Sequence, residues 1–419
     1  MIDVRRVGGA PDPAKWNFFA NVMDGALYAF GLSLVSQQTV LPVLVKNIGG
    51  GNVAVGLIPV LWIFGFNVPQ IFIAGRAELL KRKKSLLLWT SMGQRLPWFF
   101  LAVATYAFFG RIDAGAALVI FFALYGLAAL GGSINLPVWF DLIAKLTPVR
   151  VRGRLFGVRS ILGAGLGILG GGIVTYVLGA VGYPANFSML LLLAFLSMMS
   201  SYLFLVSLRE THDSAPPARG HAVRSFRGLP GILRARKNYR NFLIADALQI
   251  AAGMGAAFFT VHALTKFDLP DAEAGTFTIV MMSSMIAGSL LFGLLADRFG
   301  HRVNLLVSAA ATVAACGGAL LAPGRETYLC VFVFSALTSS LGVISRLPFM
   351  AELCSEEDRP TLVALANMIT APFVLSGVIA GWAANSVGYE PVFIVAGCLG
   401  LVAFLWLSMM VKEPRRMTA

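Results

Sequence analysis

Charge is what this chain has least of. Only 13% of its 419 residues are Asp, Glu, Lys or Arg, against 58% hydrophobic, whereas a water-soluble domain carries about a quarter charged residues. A soluble chain of this length would form roughly two or three domains, each with a charged surface to maintain. Too little charge is present to coat them, and the solvent that removes the need is lipid. Cysteine is scarce as well. Cys316, Cys330, Cys354 and Cys398 show no C-x-x-C spacing, which argues against a disulfide framework and a thiolate metal site and leaves them as small apolar side chains. The sequence also lacks H-E-x-x-H, G-x-S-x-G and a Walker loop. No catalytic centre, metal or cofactor is therefore expected, and no ATP-driven motor.

In place of charge the chain has long apolar runs. A membrane helix needs about 20 mostly apolar residues. Twelve runs of that kind follow one another, from 17–45 through 155–179 and 241–266 to 391–411. The first is too long for a signal-peptide core and reads as a retained helix behind a polar N-terminus. The formal charge of +13 could suggest nucleic acid, but the basic residues do not gather on a soluble domain. They sit in short loops on one side of the runs, while the opposite loops hold only Lys46, Arg111, Lys266 and Arg325. That is the positive-inside pattern. It predicts a multi-pass protein of the plasma (inner) membrane with both termini cytoplasmic, the lipid bilayer as partner and no nucleic-acid partner.

The long loop 209–240 is basic and contains Pro216 and Pro217. It divides the chain into 1–208 and 241–419, six runs each, and reads as a cytoplasmic linker near anionic headgroups. The two parts repeat each other. Leu136-Pro137-Val138-Trp139-Phe140-Asp141 is matched by Leu347-Pro348-Phe349-Met350-Ala351-Glu352, Arg209-Glu210 by Lys412-Glu413, and Asp24-Gly25-Ala26-Leu27 by Asp246-Ala247-Leu248. Same-direction repeats imply an axis along the membrane normal and a cleft between the halves near the bilayer centre. The predicted fold is an all-α integral membrane protein, twelve transmembrane helices in two six-helix pseudo-symmetric bundles.

Between the eighth and ninth runs stands Gly293-Leu294-Leu295-Ala296-Asp297-Arg298-Phe299-Gly300-His301-Arg302. It resembles the signature loop of the major facilitator superfamily, G-x-L-a-D-r-x-G-r-r, and with the two repeats the resemblance covers essentially the whole chain. The resemblance implies a secondary transporter that is a monomer by default. It also implies a conformational latch built from Gly293, Asp297, Arg298, Gly300, Arg302 and the acidic loop at Glu356. Gly293 would admit a neighbouring helix, and Asp297 would face the N-terminus of the eleventh helix. The first-half counterpart, Gly75-Arg76-Ala77-Glu78, lacks the Asp-Arg-x-Gly core. Gly163, Gly167, Gly171 and Gly172 in the fifth run resemble the antiporter motif of drug-exporting members, with Ile168 in place of its proline. Their bland reading is close helix packing.

Ionisable residues inside a span default to functional candidates. Arg95, about 14 Å into the third helix at 1.5 Å per residue, is read either as a solute-anion site or as half of a structural ion pair; Arg346 needs a partner on another helix. Asp24 and Asp246 hold related places and are candidate proton carriers or partners of those arginines. Gln37 and Asn67 are candidate solute hydrogen-bonders. Asp141 and Glu352, near the cytoplasmic ends, are candidates for gate pairing. The expected function is secondary active transport of a small organic or amphipathic solute by alternating access, leaning to export or antiport on the glycine-rich helix. Proton-coupled uptake of a metabolite and lipid or lysolipid flipping are alternatives, and a non-transporting receptor or assembly factor is a further class.

Overall fold

Inside lipid no water is available to the backbone, so each run must satisfy its own N–H and C=O groups, and the α-helix does this within one segment. The structure, a computed structural model, describes the backbone of residues 13–77, 84–210, 233–234, 236–354 and 359–416, with the side chains of 67–77, 137, 144, 149, 359–361, 364 and 416 outside that description. Among the described residues there is helix and no strand. The first half comprises α1 (Pro13–Leu34), α2 (Val40–Ile48), α3 (Asn52–Ala77), α4 (Lys84–Phe108), α5 (Ala114–Leu146), α6 (Val149–Ala180) and α7 (Ala185–Ser207). The second comprises α8 (Lys237–Ala252), α9 (Phe259–Lys266), α10 (Glu273–Phe299), α11 (His301–Leu321), α12 (Arg325–Glu352), α13 (Arg359–Thr370), α14 (Ser376–Val387) and α15 (Tyr389–Met410). Nine described stretches are long and apolar enough to cross a membrane; α1 with α2, α3 and α4 occupy the remaining apolar runs.

Three spans are broken. Residues 35–39 separate α1 from α2, a 3-10 turn Gly253–Ala257 joins α8 to α9, and a 3-10 turn Ala371–Leu375 joins α13 to α14. Pro372 cannot donate to a helical ladder, and Gly253 and Gly255 weaken one. Irregular backbone at this depth is tolerated where it lines a cavity.

Packing repeats between the halves. α1 lies on α7 as α8 lies on α15, α4 on α5 as α11 on α12, and α3 on α5 as α10 on α12. The halves meet through α6 on α10 and α3 on α14. The loop ends repeat too. Asn17 and the backbone of Arg209 exchange hydrogen bonds of 3.0 and 2.8 Å, and Asn238 and the backbone of Lys412 exchange two of 2.9 Å. These groups mark the terminal face, the face on which the described ends of the chain lie. The opposite face, carrying the turns at 49–51, 110–113, 267–272 and 322–324, is called the far face.

The glycines of α6 divide in role. A Cβ on Gly163 would lie 2.9 Å from Ala29, one on Gly167 3.0 Å from Met282, and one on Gly171 2.8 Å from the carbonyl oxygen of Gly275. Gly172 meets nothing within 4 Å, so it adds no packing contact. At the other crossing a Cβ on Gly377 would lie 2.9 Å from the Gly56 carbonyl. Glycines bring the halves into backbone contact at both crossings, and in each case near the far face.

Candidate functional site

Between the halves lies a cavity of about 640 Å³ walled by Trp98, Trp139, Phe140, Phe156, Met281, Met282 and Met285. A second of about 470 Å³ reaches the broken segments at Gly253 and Met254, and both are bordered by Gln37 and Gln38. Hydrogen bonds close the interface beyond them. Thr39 and Thr278 hydroxyls meet at 2.6 Å, Asn47 donates to Asp271 at 2.7 Å, and Thr260 donates to the Gln38 carbonyl at 2.7 Å. The backbone N–H of Asn52 donates to Asn385 at 3.0 Å, Tyr389 donates to the Asn52 side chain at 2.7 Å, and Ser335 donates to Gln38 at 3.4 Å. These six hydrogen bonds between the halves lie at the level of the helix breaks or on their far-face side.

The first half holds a charged cluster at the edge of this space. Asp24 of α1 accepts from Ser201 at 2.7 Å, stands 3.2 Å from Arg159 of α6 and 3.7 Å from Arg95 of α4. Arg95 is 2% exposed. Its donors are engaged by the Met198 carbonyl at 2.8 Å, the Ser91 carbonyl at 3.1 Å and Ser201 at 3.0 Å, and its guanidinium lies against the Tyr28 and Tyr202 rings. Arg159 is placed differently. Its Nη1 donates to the Asn21 side chain at 2.7 Å and to Asp24, its guanidinium carbon lies 4.5 Å from the centre of the Trp139 ring, and it borders the central cavity. A smaller cavity of about 300 Å³ adjoins both arginines. A polar chain runs along it: Asn135 donates to Gln94 at 3.1 Å, and Gln94 to the Tyr28 hydroxyl at 2.6 Å.

The second half holds a counterpart with balanced charge. Arg346 of α12 donates from Nε to both oxygens of Asp246 at 2.9 Å, and its Nη2 lies 2.8 Å from Oδ2. Nη1 reaches Asn367 at 3.2 Å. This pair borders a cavity of about 150 Å³ beside Gln249, which donates to Thr312 at 2.7 Å.

Of the sequence candidates, the structure brings Asp24 to Arg95 and Asp246 to Arg346, and it puts Gln37 on the central cavity. Asn67 lies on α3 with its side chain outside the described part, Glu356 lies outside the described residues, and Asp141 is half-buried near the terminal end of α5. Glu352 bonds within its own half, to Arg415 at 2.9 Å.

In the signature loop, Gly300 takes φ +87°, a conformation that favours glycine, and a Cβ there would collide with the Glu413 carboxylate. Arg302 donates to the carbonyls of Leu407 and Ser408 at 3.1 and 2.6 Å, a cation at the C-terminus of α15 where carbonyls lack helical partners. Asp297 and Arg298 are exposed, with Arg298 over the Phe299 ring. Gly293, expected to admit a neighbouring helix, has nothing within 4 Å of its Cβ position. It lies on the terminal-face side of α10, away from the glycine crossing of α6 and α10.

Arg159 was not visible as a site residue from the sequence. Reading the fifth helix from 155 left Arg159 at the cytoplasmic margin, whereas α6 starts at Val149 and carries Arg159 about 15 Å inward at 1.5 Å per residue. The signal available was the uninterrupted helix-compatible stretch after Pro148.

The family model of the Major Facilitator Superfamily matches residues 25–333 and 250–418. No curated protein sequence matches the chain. Among solved structures, a mutant of the nucleoside transporter NupG is similar at a TM-score of 0.69 and 14% identity, covering 96% of this chain and 100% of that one. The D-xylose-proton symporter is similar at 0.69 and 14%, covering 96% and 99%. A bacterial homolog of the human lysosomal transporter Spinster, inward-facing and unoccupied, is similar at 0.68 and 13%, covering 97% and 99%.

Proposed function

Because the chain belongs to the major facilitator superfamily, whose model matches nearly all of it, we propose that it moves a small amphipathic solute across the membrane by rocking its two halves about the central cavity. The observation that carries this reading is the position of the contacts between halves. Close glycine crossings and hydrogen bonds lie on the far-face side of a cavity with aromatic and methionine walls. A cavity closed at one end by small residues and single hydrogen bonds is suited to reopening there, because no large apolar interface must be torn apart. The inward-facing Spinster homolog among the similar folds fits this state.

Further elements belong to the reading. Residues 1–208 and 241–419 act as the two rocking units joined by 209–240. The terminal face is cytoplasmic in the plasma membrane, which the loop charge supports. The protein works as a monomer. Asp24 and Asp246 serve as charge partners that hold the arginines in place. Gly163, Gly167 and Gly171 of α6, part of the ground for the lean to export or antiport, sit in packing contacts with α1 and α10, and that direction stays part of the proposal.

The test uses Gln37→Cys in membrane vesicles, probed with an impermeant maleimide from each face. A transporter that alternates is labelled from both faces. Labelling from the terminal face alone, under every condition and with every added solute, supports a fixed receptor and rejects the reading.

A further inference from the structure

The two halves differ in electrostatic balance at equivalent depth. In the second half one carboxylate, Asp246, meets one guanidinium, Arg346, which contacts it through both Nε and Nη2. In the first half one carboxylate, Asp24, is shared by two guanidiniums, Arg95 and Arg159. Among the described residues these three are the only charged ones bordering the cavity of about 300 Å³, and Arg159 is the only charged one bordering the central cavity of about 640 Å³. Among the described residues one positive charge of this cluster has no anion of its own, in a largely apolar space where an uncompensated charge is costly.

The hydrogen-bond pattern locates that charge. Arg95 uses Nε, Nη1 and Nη2 on protein oxygens. Arg159 uses Nη1 alone: among the described residues its Nε and Nη2 have no acceptor. Nε–H and Nη2–H are the two parallel donors of the guanidinium edge, the geometry that grips a carboxylate, sulfonate or phosphate with two hydrogen bonds. Trp139 lies against the guanidinium and Asn21 and Asp24 hold its other end, so the fork is positioned before any solute arrives. Gly25 makes this possible, since a Cβ at that position would fall on the Arg159 side chain.

We propose that the Nε–Nη2 edge of Arg159 binds an oxyanion, and that the solute class is therefore amphipathic anions, with the oxyanion at Arg159 and the apolar body along Trp139, Phe156 and the methionines of α10. This rests on the central cavity being the solute site, which the two-sided labelling of Gln37→Cys tests independently.

The experiment measures binding to the purified chain in lipid nanodiscs at neutral pH, with two matched sets of probes. One set is phenylbutyrate, phenylbutyramide and phenylbutylamine; the other is naphthalenesulfonate and naphthalenesulfonamide. The expected result is about tenfold tighter binding of at least one anion than of its neutral partner, as a charge-assisted pair of hydrogen bonds gives. Arg159→Gln removes that preference and Arg159→Lys keeps only part of it, having charge without the fork. Gly25→Ala removes it with the charge still present, which separates loss of the fork from loss of the fold. Arg111→Gln, on the far face, retains it. Equal affinity for anion and amide, a preference for the amine, no binding by any probe, or a preference that survives in Arg159→Gln overturns the assignment. The rocking mechanism would stand or fall on the labelling result alone.

Discussion

Glu210 and Glu413 perform one task in the two halves. Each follows the last helix of its bundle and offers Oε2 to a backbone N–H at the start of a third-position helix: Glu210 to Lys84 at 3.3 Å on α4, Glu413 to Arg302 at 3.1 Å on α11. A carboxylate at a helix N-terminus satisfies an orphan donor and complements the helix dipole. This relationship gives physical content to the repeat Arg209-Glu210 and Lys412-Glu413, and in the second half it joins the end of the last helix to the loop that carries the superfamily signature. Glu413→Ala is expected to destabilise the second half by about 1 kcal/mol, with Gly300→Ala worse because it adds backbone strain. Thermal unfolding in nanodiscs checks this; unchanged melting for Glu413→Ala would show that the contact is incidental.

Arg346→Gln leaves Asp246 buried without its cation. Breaking one partner of a buried pair costs about 3 kcal/mol, so the variant should melt well below the parent. The double variant Asp246→Asn, Arg346→Gln should recover much of that loss, because it removes the stranded charge. A double variant no more stable than the single one would contradict a pair held mainly by charge.

Arg95 and Arg159 should separate experimentally. Arg95 is enclosed by protein acceptors, so Arg95→Met removes three buried charge-assisted hydrogen bonds and lowers stability by about 2 kcal/mol, while anion preference persists through Arg159. Loss of anion preference in a folded Arg95→Met protein would move the binding role to Arg95.

At the far face, Gly377→Val forces side-chain atoms against the Gly56 carbonyl. Overpacking of that kind costs about 1–3 kcal/mol in the closed state, enough to raise the open population by about tenfold or more. Thr39→Cys, buried against Thr278 when the face is closed, should then react correspondingly faster with an impermeant reagent from that face. No change in rate would mean that the glycine crossing does not hold the face shut.

The helices and their repeat were legible because lipid imposes one rule on every span, a run of apolar residues long enough to cross. The pairing of Asp246 with Arg346 was legible as one of the alternatives, since a buried arginine needs an anion. Three things were not. Helix breaks arise where a span borders a cavity; Gly253 and Pro372 marked two of them, but 35–39 carries no glycine or proline. Arg159 was hidden by a helix start read six residues late, which hydropathy blurs when arginines begin a span. The partners of Arg302 are backbone carbonyls, and a sequence shows side chains, not the orphan groups of a distant helix end.

The most direct test of the account is the distance across the far face, measured by pulsed electron spin resonance between labels at Arg111 and Glu390, with the native cysteines replaced by alanine. Rocking halves predict two populations, a short distance matching the closed far face and a longer one, with added anionic probe or a pH or ion gradient changing their ratio. A single short distance that no solute, pH or gradient alters would contradict alternating access by these two halves.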